Sequence, residues 1–509
     1  MVLGLFGKKS DHPLADMKSA QALLDDIPKH DALKALPELT DWLEALREQA
    51  ETLKLDHHWA VLRMFDLAAQ GHVRKLFYDY FTLQTLSQFQ ENRLWTLLDN
   101  YLTQSDLAHA DVLQRYQSSA KGSSAIKDEL PLLCTRGIGA ISGLLKMAAA
   151  RYAMVDPALW RRLAAYYSLA ETQGFSRTSV TVYPGCNQSV AEAFGVMVLW
   201  CGCSAGNLNP VQEHIAERLL SALGKGVEIF DNYHASALFV FDLAQPTPPM
   251  RATAEGTLHT ALRFIVADGM RRQLEDMQKT LDKGILPEGL NLYGAKFEAE
   301  LVLDVARRVA QNLSLPPPTR RNPRRRIQVS LKVASGFLKM LEHSDVGLSF
   351  GVEESDTWDV EDISASGFRC ILPVARADGV KIGSLIGSRP ESVNHWGAGV
   401  VRRLRRDPEG KLHIGVEVLS PRIVGVPLYD KADEDGMEGG HLGMYLNRPN
   451  DTSGEAWLLM KADSYAGSRS LKMELDDREY LLLPLGLVER GEDYDLARYR
   501  MMAQDSASD

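Results

Sequence analysis

Cysteine is scarce in this chain. Five cysteines, Cys134, Cys186, Cys201, Cys203 and Cys370, are scattered over 509 residues. That excludes a disulfide framework and fits a reducing compartment, so a cytoplasmic protein is expected. Cys201 and Cys203 sit in an apolar setting and read as buried thiols, not metal ligands. An excess of positive charge is also missing: Lys and Arg number 57 against 67 Asp and Glu, a net charge of −10. Nucleic-acid binders usually show the opposite balance, so no nucleic-acid partner is expected. No apolar run reaches bilayer-spanning length, so no transmembrane segment is expected. The first nine residues are apolar and then basic, the reverse of a secretory signal. Residues 1–15 are expected to be a flexible terminus.

Catalytic signatures are absent as well. There is no P-loop, HExxH, GxSxG or dinucleotide fingerprint. The glycines of Gly137-Ile138-Gly139-Ala140-Ile141-Ser142-Gly143 have the wrong spacing for phosphate binding. They lie in a helical, apolar pattern, where they would let helices pack closely. The neighbours His57 and His58 would point apart on a helix. The chain is read as a non-enzyme with no cofactor and no metal site.

What is present is length and periodicity. A chain of 509 residues with 45% hydrophobic content needs two or three cores. Residues 16–312 carry mostly helical spacing and read as a partner-binding domain for an unknown protein. Leu36, Leu39, Leu43 and Leu46 recur at three and four residues, one stripe of an amphipathic helix. Asp16 is a candidate N-cap, and Pro28 closes the helix that follows it. Leu258, Leu262, Ile265, Met270, Leu274, Met277 and Leu281 predict a later helix, ended by Gly284. The β-branched run at residues 178–184 reads as a strand or loop, and residues 229–243 do so less clearly.

At Leu315-Pro316-Pro317-Pro318 the grammar changes, because three prolines cannot continue a helix. Residues 313–326 form a Pro/Arg-rich hinge. After it, Ile327-Gln328-Val329-Ser330-Leu331-Lys332-Val333 alternates with period two, as a half-buried strand does. Asp407-Pro408-Glu409-Gly410 reads as the turn of a hairpin. Arginines 402, 403, 405 and 406 in that hairpin read as a solvated face, and His413 as structural. Residues 327–425 are expected to form a β-barrel and residues 426–502 further strands, with 503–509 a frayed tail. The fold class is α+β and multidomain.

Two short stretches carry the chemistry. One is Thr319-Arg320-Arg321-Asn322-Pro323-Arg324-Arg325-Arg326, and the other is Asp362-Ile363-Ser364-Ala365-Ser366-Gly367. An arginine can fork onto phosphate oxygens or lie flat against a base, which lysine does poorly. The Asp362 carboxylate can accept from a guanine N–H edge, and the Ser364 hydroxyl can donate or accept. Gly367 allows a positive φ or a close approach to a ligand. Ile363 reads as core, as does Trp358.

In order and spacing these stretches resemble the PilZ family, RxxxR followed by [D/N]xSxxG. The resemblance covers residues 318–425. It implies an antiparallel β-barrel that binds cyclic di-GMP through Arg320, Arg321, Arg324, Arg325, Arg326, Asp362, Ser364 and Gly367. In the family the second arginine usually directly precedes the first strand. Here Arg326 has Asn322 four positions back, so the RxxxR pair is Arg321 with Arg325 or Arg320 with Arg324; the first is favoured, with Arg326 as helper. The alternative reading is an interaction scaffold whose barrel no longer binds nucleotide. A phosphoinositide-like or nucleic-acid binder using both arginine clusters is a third, disfavoured by the net charge.

Overall fold

The computed structural model describes residues 12–82, 86–204, 206–254, 259–287, 297–317, 322–344, 355–376, 379–430, 440–448 and 454–504. The chain is α+β and multidomain, a helical region followed by antiparallel strands that close into two six-stranded barrels. It divides into two compact units. One comprises residues 1–151, 155–205 and 210–318, the other residues 152–154, 206–209 and 319–509.

The helical unit opens with α1 (Met17–Asp26), α2 (Ala32–Glu48), α3 (Leu55–Thr82) and α4 (Gln88–Gln117). The Asp16 carboxylate accepts from the Ser19 backbone N–H at 3.0 Å, capping α1 as expected. Leu36, Leu39, Leu43 and Leu46 line the buried face of α2. The adjacent His57 and His58 turn to separate partners. The His57 ring bonds the Leu14 carbonyl at 2.8 Å, and His58 lies buried against Arg115 at 2.9 Å.

Next come α5 (Leu130–Ala150) and α6 (Pro157–Thr172). A Cβ on Gly137 would lie 2.3 Å from the Tyr166 ring on α6, and one on Gly143 would lie 2.7 Å from Leu102 on α4. The glycines therefore serve helix packing, as their sequence context predicts. The 28-residue stretch Ser123–Ala150 is long and apolar enough to cross a membrane, with mean hydropathy 1.3 over an 18-residue window. Since 61% of its apolar window is buried within the protein, it serves as a core helix of the unit.

The hairpin β1 (Val180–Tyr183) and β2 (Cys186–Gln188) leads into α7 (Val190–Cys203) and α8 (Pro210–Ala222). Then β3 (Glu228–Phe230), β4 (Ala237–Asp242), β5 (Met250–Arg251) and β6 (Leu262–Val266) make an antiparallel sheet in the order β3-β6-β4-β5. The long helix predicted from Leu258 starts only at Asp268, as α9 (Asp268–Leu281); α10 (Ala299–Asn312) follows. Leu262 and Ile265 have helical spacing, but Phe264-Ile265-Val266 is a β-favouring run that pairs with both β3 and β4.

The first barrel contains β7 (Arg325–Ser335), α11 (Phe337–Glu342), β8 (Asp356–Ser364), β9 (Gly367–Pro373), β10 (Leu385–Pro390), β11 (Gly397–Arg406) and β12 (Lys411–Ser420). The second contains β13 (Arg422–Asp430), β14 (His441–Asn447), β15 (Glu455–Lys461), β16 (Leu471–Leu475), β17 (Arg478–Arg490) and β18 (Tyr494–Ala503). Residues 426–502 thus belong to a complete second barrel, which begins at Arg422. Going round each barrel, the strands run first, second, third, sixth, fifth, fourth. The two barrels therefore repeat one topology. Leu331, Val333, Trp358, Val360, Phe368 and Ile414 fill the first. A shared cluster including Phe337, Trp396, Val400, Met444 and Tyr494 joins it to the second.

Candidate functional site

The arginine segment enters β7 at Arg325. The ladder sets Arg325 opposite Ile363 and Arg326 opposite Asp362. Arg324, one residue before the strand, reaches across to the Asp362 carboxylate: its Nη1 lies 3.1 Å from Oδ1 and 3.3 Å from Oδ2. The register of β7 on β8 thus joins the two motif halves. Arg324, Arg325 and Arg326 are all exposed. Arg320 and Arg321 lie outside the described residues.

Asp362 is 5% exposed. Alternation along β8 places Trp358, Val360 and Asp362 on the buried face and turns Ile363 outward, where it is 41% exposed. Trp358 is core as expected, whereas the expectation that Ile363 is core is corrected: it faces outward, opposite to Asp362. A buried carboxylate needs charged or hydrogen-bonding partners to offset its lost hydration. Arg324 is one. Arg369 is the other, with Nε 2.9 Å from Asp362 Oδ2 and Nη2 2.7 Å from Glu361 Oε2. Even so, no hydrogen-bond donor among the described residues is well aligned on Asp362 Oδ1.

Ser364 and Gly367 pair across the two-residue β8–β9 turn, where the Ser364 hydroxyl donates to the Gly367 carbonyl at 3.1 Å. Gly367 does not take a positive φ. A Cβ there would lie 2.3 Å from the Val416 carbonyl oxygen on β12. Its glycine is required where β9 passes close to β12, a reason the sequence reading did not give.

Arg369 was missed from the sequence, although the turn contains the signal. With Ser364 opposite Gly367, counting back along the hairpin sets Arg369 opposite Asp362, a cross-strand opposite-charge pair. The hairpin arginines divide by alternation. Arg403 and Arg405 are exposed, as expected of a solvated face. Arg402 is not: it bonds Glu417 at 2.7 Å and clasps Glu489 on β17 at 2.5 and 2.6 Å. It is a clamp between the barrels. His413 bonds Asp407 at 2.9 Å, a structural contact.

The second barrel repeats the topology of the first without its arginine lead. Only Pro421 separates β12 from β13, so no segment precedes its first strand to wrap over a ligand.

Residues 18–232 match the family model for the N-terminal domain of the cyclic-di-GMP receptor FimW. The match ends at Asn232, before either barrel begins, and spans less than half of the chain. No curated protein matches the chain.

Proposed function

We propose that the protein is a cytoplasmic cyclic di-GMP effector whose first barrel is a PilZ-like receptor domain. The observation that carries this reading is the Arg324–Asp362 contact, which brings the arginine segment and the acid-Ser-Gly turn to one edge of one barrel. The similarity of residues 18–232 to part of a cyclic-di-GMP receptor supports it from the other end of the chain.

In this proposal Arg320, Arg321, Arg324, Arg325 and Arg326 supply guanidinium groups for two phosphates and a guanine face. Asp362 accepts from the N1–H and N2–H edge of guanine, and Ser364 adds a hydroxyl. Gly367 holds the turn against β12. Asp362 is covered by Arg324, so the ligand reaches it by displacement. A guanine edge takes over the carboxylate, and the released Arg324 moves to a phosphate. One charge-assisted contact is exchanged for two, each worth about 1.5–3 kcal/mol. Residues 313–326 join the helical unit to this barrel. Ordering them around a ligand would change how the helical unit is presented to a protein partner, an order–disorder switch.

Calorimetric titration of the full chain with cyclic di-GMP tests the reading, with GTP and a short oligonucleotide as controls. Saturable binding of cyclic di-GMP alone is expected. No heat from any of the three would favour a scaffold whose barrel no longer binds nucleotide.

A further inference from the structure

Arg369 lies on β9, two residues beyond the turn glycine and outside both motif stretches. It holds two carboxylates at once, Asp362 at 2.9 Å through Nε and Glu361 at 2.7 Å through Nη2. Consecutive residues on a regular strand point to opposite faces. These two share one guanidinium because the ladder steps from Val360 opposite Cys370 to Asp362 opposite Arg369, which makes Glu361 the extra residue of a β-bulge. A second irregularity lies level with it on β7, between Arg326 and Val329. It sets Arg326, in place of Ile327, opposite Asp362. Bulges re-aim side chains and recur beside functional sites.

The charges in this cluster are close, but its hydrogen bonding is incomplete. Asp362 Oδ1, Glu361 Oε2 and Arg369 Nε are buried, and among the described residues no partner is well aligned on any of them. The cluster is paired in charge and keeps two open acceptors beside the arginine segment.

We infer that Arg369 is the positioning residue that lets Arg324 leave Asp362 when a ligand enters. This role rests on the receptor function proposed for the barrel. Among the described residues Arg324 and Arg369 are the two cations paired with Asp362. Once Arg324 has moved to a phosphate, Arg369 is the cation left on a carboxylate that is 5% exposed. A buried carboxylate stripped of its cation is strongly destabilising. Without Arg369, Arg324 is therefore held on Asp362, and the guanine edge is kept out. With Arg369 in place, Asp362 stays paired throughout the exchange. Glu361 anchors the other end of the same guanidinium, so Arg369 keeps its position while Arg324 moves.

The test is calorimetric titration of cyclic di-GMP into the full chain, as parent, Arg324→Ala, Arg369→Met, Arg369→Lys and the Arg324→Ala/Arg369→Met double variant. Thermal melts check that each folds. Methionine keeps an unbranched apolar stem without the charge, and lysine keeps the charge. Arg369→Met is expected to weaken binding on the order of tenfold or more, and Arg369→Lys to recover part of that loss. With Arg369→Met in place, Arg324 no longer reaches the phosphate. Arg324→Ala should then cost little further affinity, or restore some, although it weakens the parent. Residues acting independently would show losses that add. The role is overturned if folded Arg369→Met binds as the parent does, if Arg369→Lys is no better than Arg369→Met, or if the two losses add. Should the double variant unfold, the comparison of methionine with lysine decides. These results leave the receptor function standing, whereas a parent chain that does not bind cyclic di-GMP overturns both.

Discussion

Arg324 and Asp362 stand 38 positions apart in sequence and meet at the mouth of the first barrel, guanidinium to carboxylate at 3.1 Å. The contact bears on which arginines form the proposed ligand pair. The sequence pattern favours Arg321 with Arg325. The structure places Arg324 directly before β7 and against Asp362, which favours Arg320 with Arg324. Single alanine substitutions at the four positions, compared by calorimetry, decide between them. Arg320→Ala and Arg324→Ala are expected to weaken cyclic di-GMP binding by about ten- to a hundredfold. Larger losses at Arg321 and Arg325 would restore the first register.

Asp362, proposed as a ligand acceptor, also anchors two arginines, Arg324 and Arg369. Asp362→Asn keeps the shape and removes the charge. Because adenine lacks the N1–H and N2–H edge, the variant should lose more affinity for cyclic di-GMP than for cyclic di-AMP. Equal losses would make Asp362 an anchor alone.

Much of the first barrel was legible in the sequence. The alternation of Ile327 to Val333, the turn at Asp407 to Gly410 and the acid-Ser-Gly turn all marked strands that are there. On β8 Trp358 was read rightly as core and Ile363 wrongly, because Asp362 is a charged residue on a buried face. Its burial is made tolerable by Arg324 and Arg369, partners that no local pattern reveals. The closing of residues 422–503 into a barrel was equally hidden. It depends on β13 pairing with β16 and β15 with β18, matches between strands distant in sequence. At Leu262 to Val266 periodicity misled outright, since helical spacing and strand composition compete there and sheet pairing wins.

Gly367 offers a test of the barrel apart from the ligand. Gly367→Ala sets a methyl group 2.3 Å from the Val416 carbonyl oxygen, so β9 and β12 must separate. A loss of about 1–3 kcal/mol is expected in urea unfolding followed by fluorescence of the barrel tryptophans. Unchanged stability would mean that the two strands can part without cost.

Glu213 predicts how the helical unit responds to pH. Burial pushes its carboxyl up to about 8 from 4.5, against the opposing effects of the Ser204 hydroxyl and Lys146. The folded chain then keeps a proton that the unfolded chain gives up, so stability is full at low pH. It declines as pH rises from about 4.5 to about 8. Glu213→Gln removes this dependence, so melting temperatures taken across that range should fall less steeply for the variant. Parallel curves would show that Glu213 is already ionised in the folded state.

The location of the ligand is the claim on which the rest depends, and hydrogen exchange of the full chain with and without saturating cyclic di-GMP tests it most directly. Slowed exchange is predicted across residues 311–330 and 356–369, the hinge, the arginine segment and the β8–β9 turn, with the second barrel unchanged. Protection confined to the second barrel or to the helical unit, or no protection in those two segments, would contradict a PilZ-like site at the first barrel.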